Sequence, residues 1–355
     1  MLKGREYVPL LYTRLAEIRA MRELPESSKN LMVPVFKLRP WLNSKELDRA
    51  VEVVEEAVGN RLYGLDLDEF KLNLNPDPSK TAATQFLQLF EKAEGYKNYY
   101  DLVASGPNRV PVFRGINDAD LEIEKQIEHI LHIDRGVFVR AKVGEPGSLL
   151  EIARKLAEND IDNAVFIIDC GWGRDLLVSA ALASQFAQRL VNTSDKFEIV
   201  IAGSSFPDDF KGLGERFTIP AIERQLYFEV RRQVNFDALY YGDWGSTRPP
   251  TDPIPMKHVP RIDTARSTDW VCWRSEDDET YVEVAQRVIT DPAWDGKLGI
   301  WGEYMVVATA EEEAVRIKAP AMAAAVRVNI HLHQQANFDN PGGLHVGDEA
   351  VGDDL

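Results

Sequence analysis

The chain has 355 residues and a mass of 40.1 kDa, 45% of it hydrophobic and 28% charged, with 41 basic and 57 acidic side chains giving a formal charge of -16. A chain this long can bury roughly three quarters of the surface it exposes when unfolded, which with this composition excludes a disordered protein, a disulfide mini-scaffold and a collagen-like fibre. The acidic surplus repels nucleic acid and anionic lipid, so neither direct nucleic-acid binding nor a membrane role is expected.

Eight short apolar runs of strand length stand out in the first 243 residues. They are 7–12 (YVPLLY), 32–38 (MVPVFKL), 61–68 (RLYGLDLD), 109–114 (RVPVFR), 136–142 (GVFVRAK), 163–170 (NAVFIIDC), 198–203 (EIVIAG) and 238–243 (ALYYGD). Their β-branched and aromatic content favours strand over buried helix. Helix signals fall between them. The first helix is expected over 14–23, and Asn43 with Glu46 has capping-box spacing before an amphipathic run that stops at Gly59. Ser79 is placed to cap a helix carrying Phe86, Leu89 and Phe90, and Asp118 one carrying Ile123, Ile127 and Ile130. Ser148 and Glu151 repeat the box spacing, and further helices fit 175–191 and 219–234.

After the eighth run the texture changes. RPPTDPIP at 248–255 reads as a linker, because proline excludes helix and central strand. A strand (269–274), a helix (279–289), a strand-like run (299–307) and an Ala-rich helix (320–338) follow, and the end is Gly-rich and acidic. Strand alternating with helix eight times predicts a parallel sheet with crossover helices, at the size of a (β/α)8 barrel. An open doubly wound sheet would carry a Gly-rich turn after its first strand. Here that turn is LYTRLAEIR, without glycine. The expected fold is therefore a (β/α)8 TIM-barrel-like domain over 1–247, a C-terminal α+β extension over 248–342 that closes the barrel, and a flexible acidic tail over 343–355. No membrane-length apolar run or signal-peptide core is evident, and the two cysteines, Cys170 and Cys272, sit in apolar runs, so a reduced cytoplasmic setting is expected.

The ends of the strands carry the chemistry. In chain order they present Lys37, then Asp66 and Asp68, then Arg114, then Arg140 and Lys142, then Asp169, then Ser204 and Ser205, then Asp243. Strand side chains alternate faces, so Asp66 shares a face with Asp68, and Arg140 with Lys142 and Phe138. Helices cover the outside of a barrel, so these charges are expected to converge at its C-terminal mouth, where barrel enzymes build their sites. Four cations and four carboxylates there must pair with each other, with water or with a ligand. A self-satisfied ion-pair network is the bland alternative.

Three chemistries compete for the mouth. The first is a phosphate or carboxylate site, with Lys37, Arg114, Arg140 and Lys142 as cations and the turns AGSSFP and GDWGS as donors. A hard-metal site of Asp66, Asp68, Asp169 and Asp243 would suit Mg2+, but the neighbouring cations can neutralise these carboxylates by themselves, so no metal or other cofactor is assigned. The third is a Schiff-base lysine at Lys37 or Lys142. Asp66, Asp169 and Asp243 are the candidate general bases. Trp172 and Trp244 follow the sixth and eighth runs and are candidate stacking residues at the rim, or an amphipathic lid on the core. In 326–333 (VRVNIHLH) the Ala-rich approach favours helix, which separates His331 from His333 and excludes a metal pair. On that helix Asn329 and His333 are i,i+4 neighbours, a candidate polar pair aimed at the barrel.

Taken in order, EYVPLLYTRLAEIRAMRELP, VPVFKL, IIDCGW, AGSSFP, YYGDWG and VNIHLHQQ make the chain resemble the beta-protein family from about Tyr7 to Gln335. The matching positions are Asp169, Ser204, Ser205, Phe206, Pro207, Gly242, Asp243 and His333, while Gly302-Glu303 stands where a Gly-Asp pair is expected. The resemblance implies a phage-associated immunity or defence locus, in which the namesake protects the bacterial host from a phage-encoded killer protein. It carries over no catalytic residue. The function expected is binding or neutralising a partner, a basic toxin-like protein or a small anionic ligand. The alternative is a barrel enzyme that hydrolyses or modifies a phosphorylated small molecule.

Overall fold

A computed structural model describes residues 1–69, 81–144, 148–210, 212–248, 259–275 and 279–346. The Ser79 cap, most of the 248–255 linker and the end of the acidic tail lie outside those residues. The described residues form the strands β1 (Tyr7–Tyr12), β2 (Val35–Leu38), β3 (Tyr63–Leu67), β4 (Arg109–Pro111), β5 (Val137–Lys142), β6 (Ala164–Trp172), β7 (Glu198–Ser204), β8 (Arg216–Pro220), β9 (Leu239–Asp243), β10 (Arg261–Ala265) and β11 (Asp269–Arg274). By contact density the chain divides into two units.

The first unit comprises residues 1–13, 33–204 and 223–244. Its eight strands form one parallel sheet in the order β4-β3-β2-β1-β9-β7-β6-β5. A parallel bridge between Val112 and Phe138 joins β4 to β5, with the Phe113 N–H donating to the Phe138 carbonyl at 2.8 Å. The sheet thus closes on itself as the expected eight-stranded barrel. All eight strands coincide with the eight apolar runs.

Register decides what fills the barrel. Leu10, Val35, Gly64 and Val110 are consecutive partners across β1 to β4. Phe138 pairs with Val165, and Ile167 with Val200, across β5 to β7. Apart from Gly64, these residues share one buried cluster with Val8, Tyr12, Ala202 and Trp244. Two glycines make room: a Cβ on Gly64 would lie 2.9 Å from Val35 Cγ2, and one on Gly242 would lie 2.7 Å from Val200 Cγ1 and 2.8 Å from the Val8 carbonyl. At the N-terminal end Leu2 enters the same cluster, and its N–H donates to the Glu198 carboxylate at 2.8 Å.

The second unit comprises residues 14–32, 205–222 and 245–355. It holds the antiparallel sheet β10-β11-β8 and the helices Leu15–Arg22, Tyr281–Thr290, Trp301–Ala310 and Pro320–Ala336. Its core gathers Phe206, Trp270, Trp273, Val284, Val306 and Val326.

Several local expectations are corrected. The 299–307 run is helix, Trp301–Ala310, buried on nearly every face; an apolar run without a polar stripe has no 3.6-residue period to tell it from strand. The region 219–234 is the end of β8 followed by a helix from Glu223 to Gln233, and β10 had no separate signal in the sequence. The Asn43–Glu46 box does not form: the helix starts at Asp48, and Asn43 has φ 61°. Asp118 likewise does not cap the helix Asp120–Ile133, because its carboxylate takes Lys92 and the Tyr96 hydroxyl instead. The helix Leu149–Glu158 does begin just after Ser148, but the Ser148 hydroxyl lies 3.5 Å from Asn117 Oδ1 and bonds no helix N–H. Residues 326–333 are helical, as expected.

Candidate functional site

The inward-facing positions one layer above the apolar core are charged. Tyr12, Lys37 and Asp66 are consecutive register partners on β1, β2 and β3, and Lys142 partners Asp169 across β5 and β6. Alternation carries Lys37 inward from Val35, Asp66 from Gly64, Arg140 from Phe138 and Asp169 from Ile167.

Asp66 is the hub. Its Oδ1 lies 2.6 Å from Arg114 NH1 and its Oδ2 lies 3.2 Å from both Lys37 Nζ and Arg140 Nε. The Leu67 N–H adds a fourth donor at 2.8 Å. Burial alone would raise this carboxyl's pKa, but Lys37, Arg140 and Arg114 outweigh burial and hold it well below the usual carboxylate range. Arg140 also reaches Asp169 at 3.0 Å, and Trp244 Nε1 (3.0 Å) and the Gly171 N–H (2.9 Å) complete that carboxylate. Arg114 spreads from Asp66 to Glu69 at 2.9 Å. Burial, then Arg140, push the Lys37 ammonium down from the ordinary lysine range, against the pull of Asp66 and Glu69.

Aromatic rings wall this network. Trp244 is buried, with its ring centroid 5.5 Å from Tyr12 and 4.5 Å from the half-buried Trp172, and the Arg140 guanidinium carbon sits 5.9 Å from the Trp244 centroid. Lys142 is exposed at the end of β5 and forms no ion pair among the described residues. Asp68 is buried and pairs with Arg39 at 3.5 Å.

Lys37, Asp66, Arg114, Arg140, Asp169, Trp172 and Trp244 are therefore brought together, with Asp68 and Lys142 at the ends of the same strands. Others fall elsewhere. Asp243 lies on the opposite face of β9 from Gly242 and Trp244, and accepts from the Tyr7 (2.5 Å) and Tyr241 (2.6 Å) hydroxyls, with Arg224 stacked 3.6 Å over Tyr241. Its position at a strand end suggested the mouth; strand parity turns it outward. Ser204 is buried at the end of β7, where its carbonyl accepts from the Gly173 N–H. Ser205 belongs to the second unit, where its hydroxyl accepts from the Ile222 N–H at 3.1 Å.

His333 is also in the second unit. Its Nε2 donates to the Leu344 carbonyl, so Nδ1 accepts from the Ser28 hydroxyl, and burial lowers its pKa. Asn329 donates to the Ala20 carbonyl and accepts from the Gly302 N–H, so the expected Asn329–His333 pair is replaced by separate partners.

Arg39, Glu69 and Tyr12 were missed in the sequence. Arg39 shares the parity of Lys37, and Tyr12 ends β1 as Lys37 nearly ends β2, so a stricter reading of strand ends would have found both. Among the described residues no group of three or more His, Cys, Asp or Glu side chains is disposed to hold a metal ion. No helix among them is long and apolar enough to cross a membrane.

A family model described as "Beta protein" matches residues 7–337 of this sequence. The chain belongs to the beta-protein family. It is similar to Protein beta of Enterobacteria phage P4, 26% identical over 339 residues that cover 93% of this chain and 92% of that relative. The family match spans every barrel strand and the helix that carries His333, so the charged strand-end layer lies wholly within it.

Proposed function

We propose that this beta-protein-family chain is a binding protein of a phage-associated immunity or defence locus, and that a small oxyanion binds at the mouth of its barrel. The observation that carries the ligand is the charge count at the mouth. Lys37, Arg114 and Arg140 are matched by Asp66, Asp169 and Glu69, and the exposed Lys142 beside Asp169 is a further cation with no ion pair among the described residues. The surplus charge of Lys142 at the rim of this paired network favours an incoming anion. The aromatic wall of Trp244, Trp172 and Tyr12 limits that anion's access to water. The chain's charge of -16 supports a basic, toxin-like protein as the macromolecular partner, drawn by electrostatic steering.

The hydrolase reading has weaker support. Asp66 is held ionised by three cations and is a poor base, Asp169 already accepts from three donors, and Asp243 faces away. The test is a thermal-shift panel of inorganic phosphate, pyrophosphate and nucleotides at constant ionic strength, on wild type and Lys142→Ala. A ligand at a hundred times its Kd adds about 2.7 kcal/mol. Stabilisation of the wild type that shrinks in Lys142→Ala is the expected result; no shift with any compound would sink the oxyanion site.

A further inference from the structure

The second unit contains another cation-rich cluster, built from residues that the barrel mouth does not use. Arg261 on β10 holds Asp263 through Nε at 2.7 Å and NH2 at 2.9 Å, and Arg327 of the helix Pro320–Ala336 reaches the same carboxylate at 2.8 Å. Arg327 also donates from Nε to the Ser246 carbonyl at 3.0 Å. A third arginine, Arg248, makes no hydrogen bond or ion pair among the described residues. Burial, then Arg261 and Arg327, push its pKa down to about 10, with Asp263 and the exposed Asp208 pulling weakly back.

The three guanidinium groups lie over two neighbouring rings. Arg261 and Arg248 sit 3.6 Å and 4.7 Å from the Phe210 centroid, Arg327 sits 4.3 Å from that of Phe206, and the ring centroids are 5.8 Å apart. Stacking on a ring orients a guanidinium without consuming its N–H donors, so the fork of Arg248 keeps its capacity for an oxyanion. A second observation points the same way. The side chain of Ser246, whose carbonyl Arg327 holds, is 2% exposed, and its hydroxyl has no hydrogen-bond partner among the described residues. A buried hydroxyl left unpaired costs free energy unless something satisfies it.

We propose that Arg248, Arg261 and Arg327, together with the Ser246 hydroxyl, form a second oxyanion site that takes a phosphate group. Arg261 and Arg327 share the single carboxylate of Asp263 and Arg248 stands beside them, which leaves two positive charges in the cluster, and a phosphate monoester near neutral pH carries about -1.5 to -2. A carboxylate would neutralise only half of that surplus. The phosphate arrives either free or on a nucleotide, and both sources present the same oxygens to the cluster. This site is independent of the barrel-mouth reading and shares no residue with it.

The test is isothermal titration of the full chain with inorganic phosphate and, separately, a 5'-mononucleotide, at constant ionic strength. The variants are Arg248→Gln, Ser246→Ala and Lys142→Ala. Arg248 has no ion pair among the described residues to break, so Arg248→Gln should keep the wild-type melting curve. It should weaken one phosphate site about tenfold or more, the loss of a charge-assisted hydrogen bond, and leave the site sensitive to Lys142→Ala untouched. Ser246→Ala should weaken the same site by less. The tighter of the two probes identifies the source of the phosphate. Wild-type affinity and stoichiometry in folded Arg248→Gln, or binding lost only in Lys142→Ala, would overturn this second site. Loss in Arg248→Gln with Lys142→Ala unchanged would support it and remove the barrel-mouth site instead.

Discussion

Asp66 accepts from three cations and a backbone N–H, so its charge neutralises more of the barrel mouth than any other single group. Asp66→Asn leaves Lys37, Arg114 and Arg140 short of a buried counter-ion and should cost about 3–5 kcal/mol in urea unfolding. Lys142→Ala, an exposed change at the same mouth, should stay within about 0.5 kcal/mol of wild type in the same experiment. The pH dependence follows from the direction of the Asp66 shift. Its folded pKa lies below the unfolded value near 4, so its contribution is fully present above that value and is lost as pH falls through the folded one. Urea midpoints at about pH 5 and about pH 3 should therefore converge more in Asp66→Asn than in wild type. An equal acid loss in both proteins would show that Asp66 is not the titrating group.

Among the elements, β9 shows how one strand serves two faces. Gly242 and Trp244 face the barrel interior, while Tyr241 and Asp243 meet Tyr7 and Arg224 outside it. Gly242 is fixed by contact rather than by backbone conformation, since an added Cβ would lie 2.8 Å from the Val8 carbonyl, a backbone atom with little freedom to retreat. Gly242→Ala should cost about 1–3 kcal/mol, read as a lowered urea midpoint with an unchanged slope. A neutral result would mean that β9 can move away from β1.

At the scale of the barrel, closure is uneven. β6 pairs with β7 over six registered positions, whereas β4 has three residues and meets β5 through one bridge. A seam held by few backbone bonds opens at lower free energy than the rest of a sheet. Hydrogen exchange should find the Phe113 amide, bonded to Phe138, far less protected than the amides of β7. Equal protection of the two would argue that the barrel opens only as a whole.

The eight strand runs were legible because each is short, apolar and bounded by helix or turn signals, and those properties belong to local sequence. The charged layer was legible for a related reason: alternation placed Asp66 with Asp68, and Arg140 with Phe138, before any partner was known. Alternation says which residues share a face but not which face turns inward. Asp243 therefore read as a mouth residue until its partners, Tyr7 and Tyr241, placed it outside. The helix Trp301–Ala310 read as strand because burial on nearly every face erases the polar stripe that marks a period. His333 paired with Ser28, and Arg327 with Asp263, across 305 and 64 residues of chain. Sequence alone determined the type and order of the barrel strands and the polarity of their ends, because these are properties of neighbouring residues. Only the tertiary structure decided which charges meet, because that depends on register and on contacts between segments far apart in the chain.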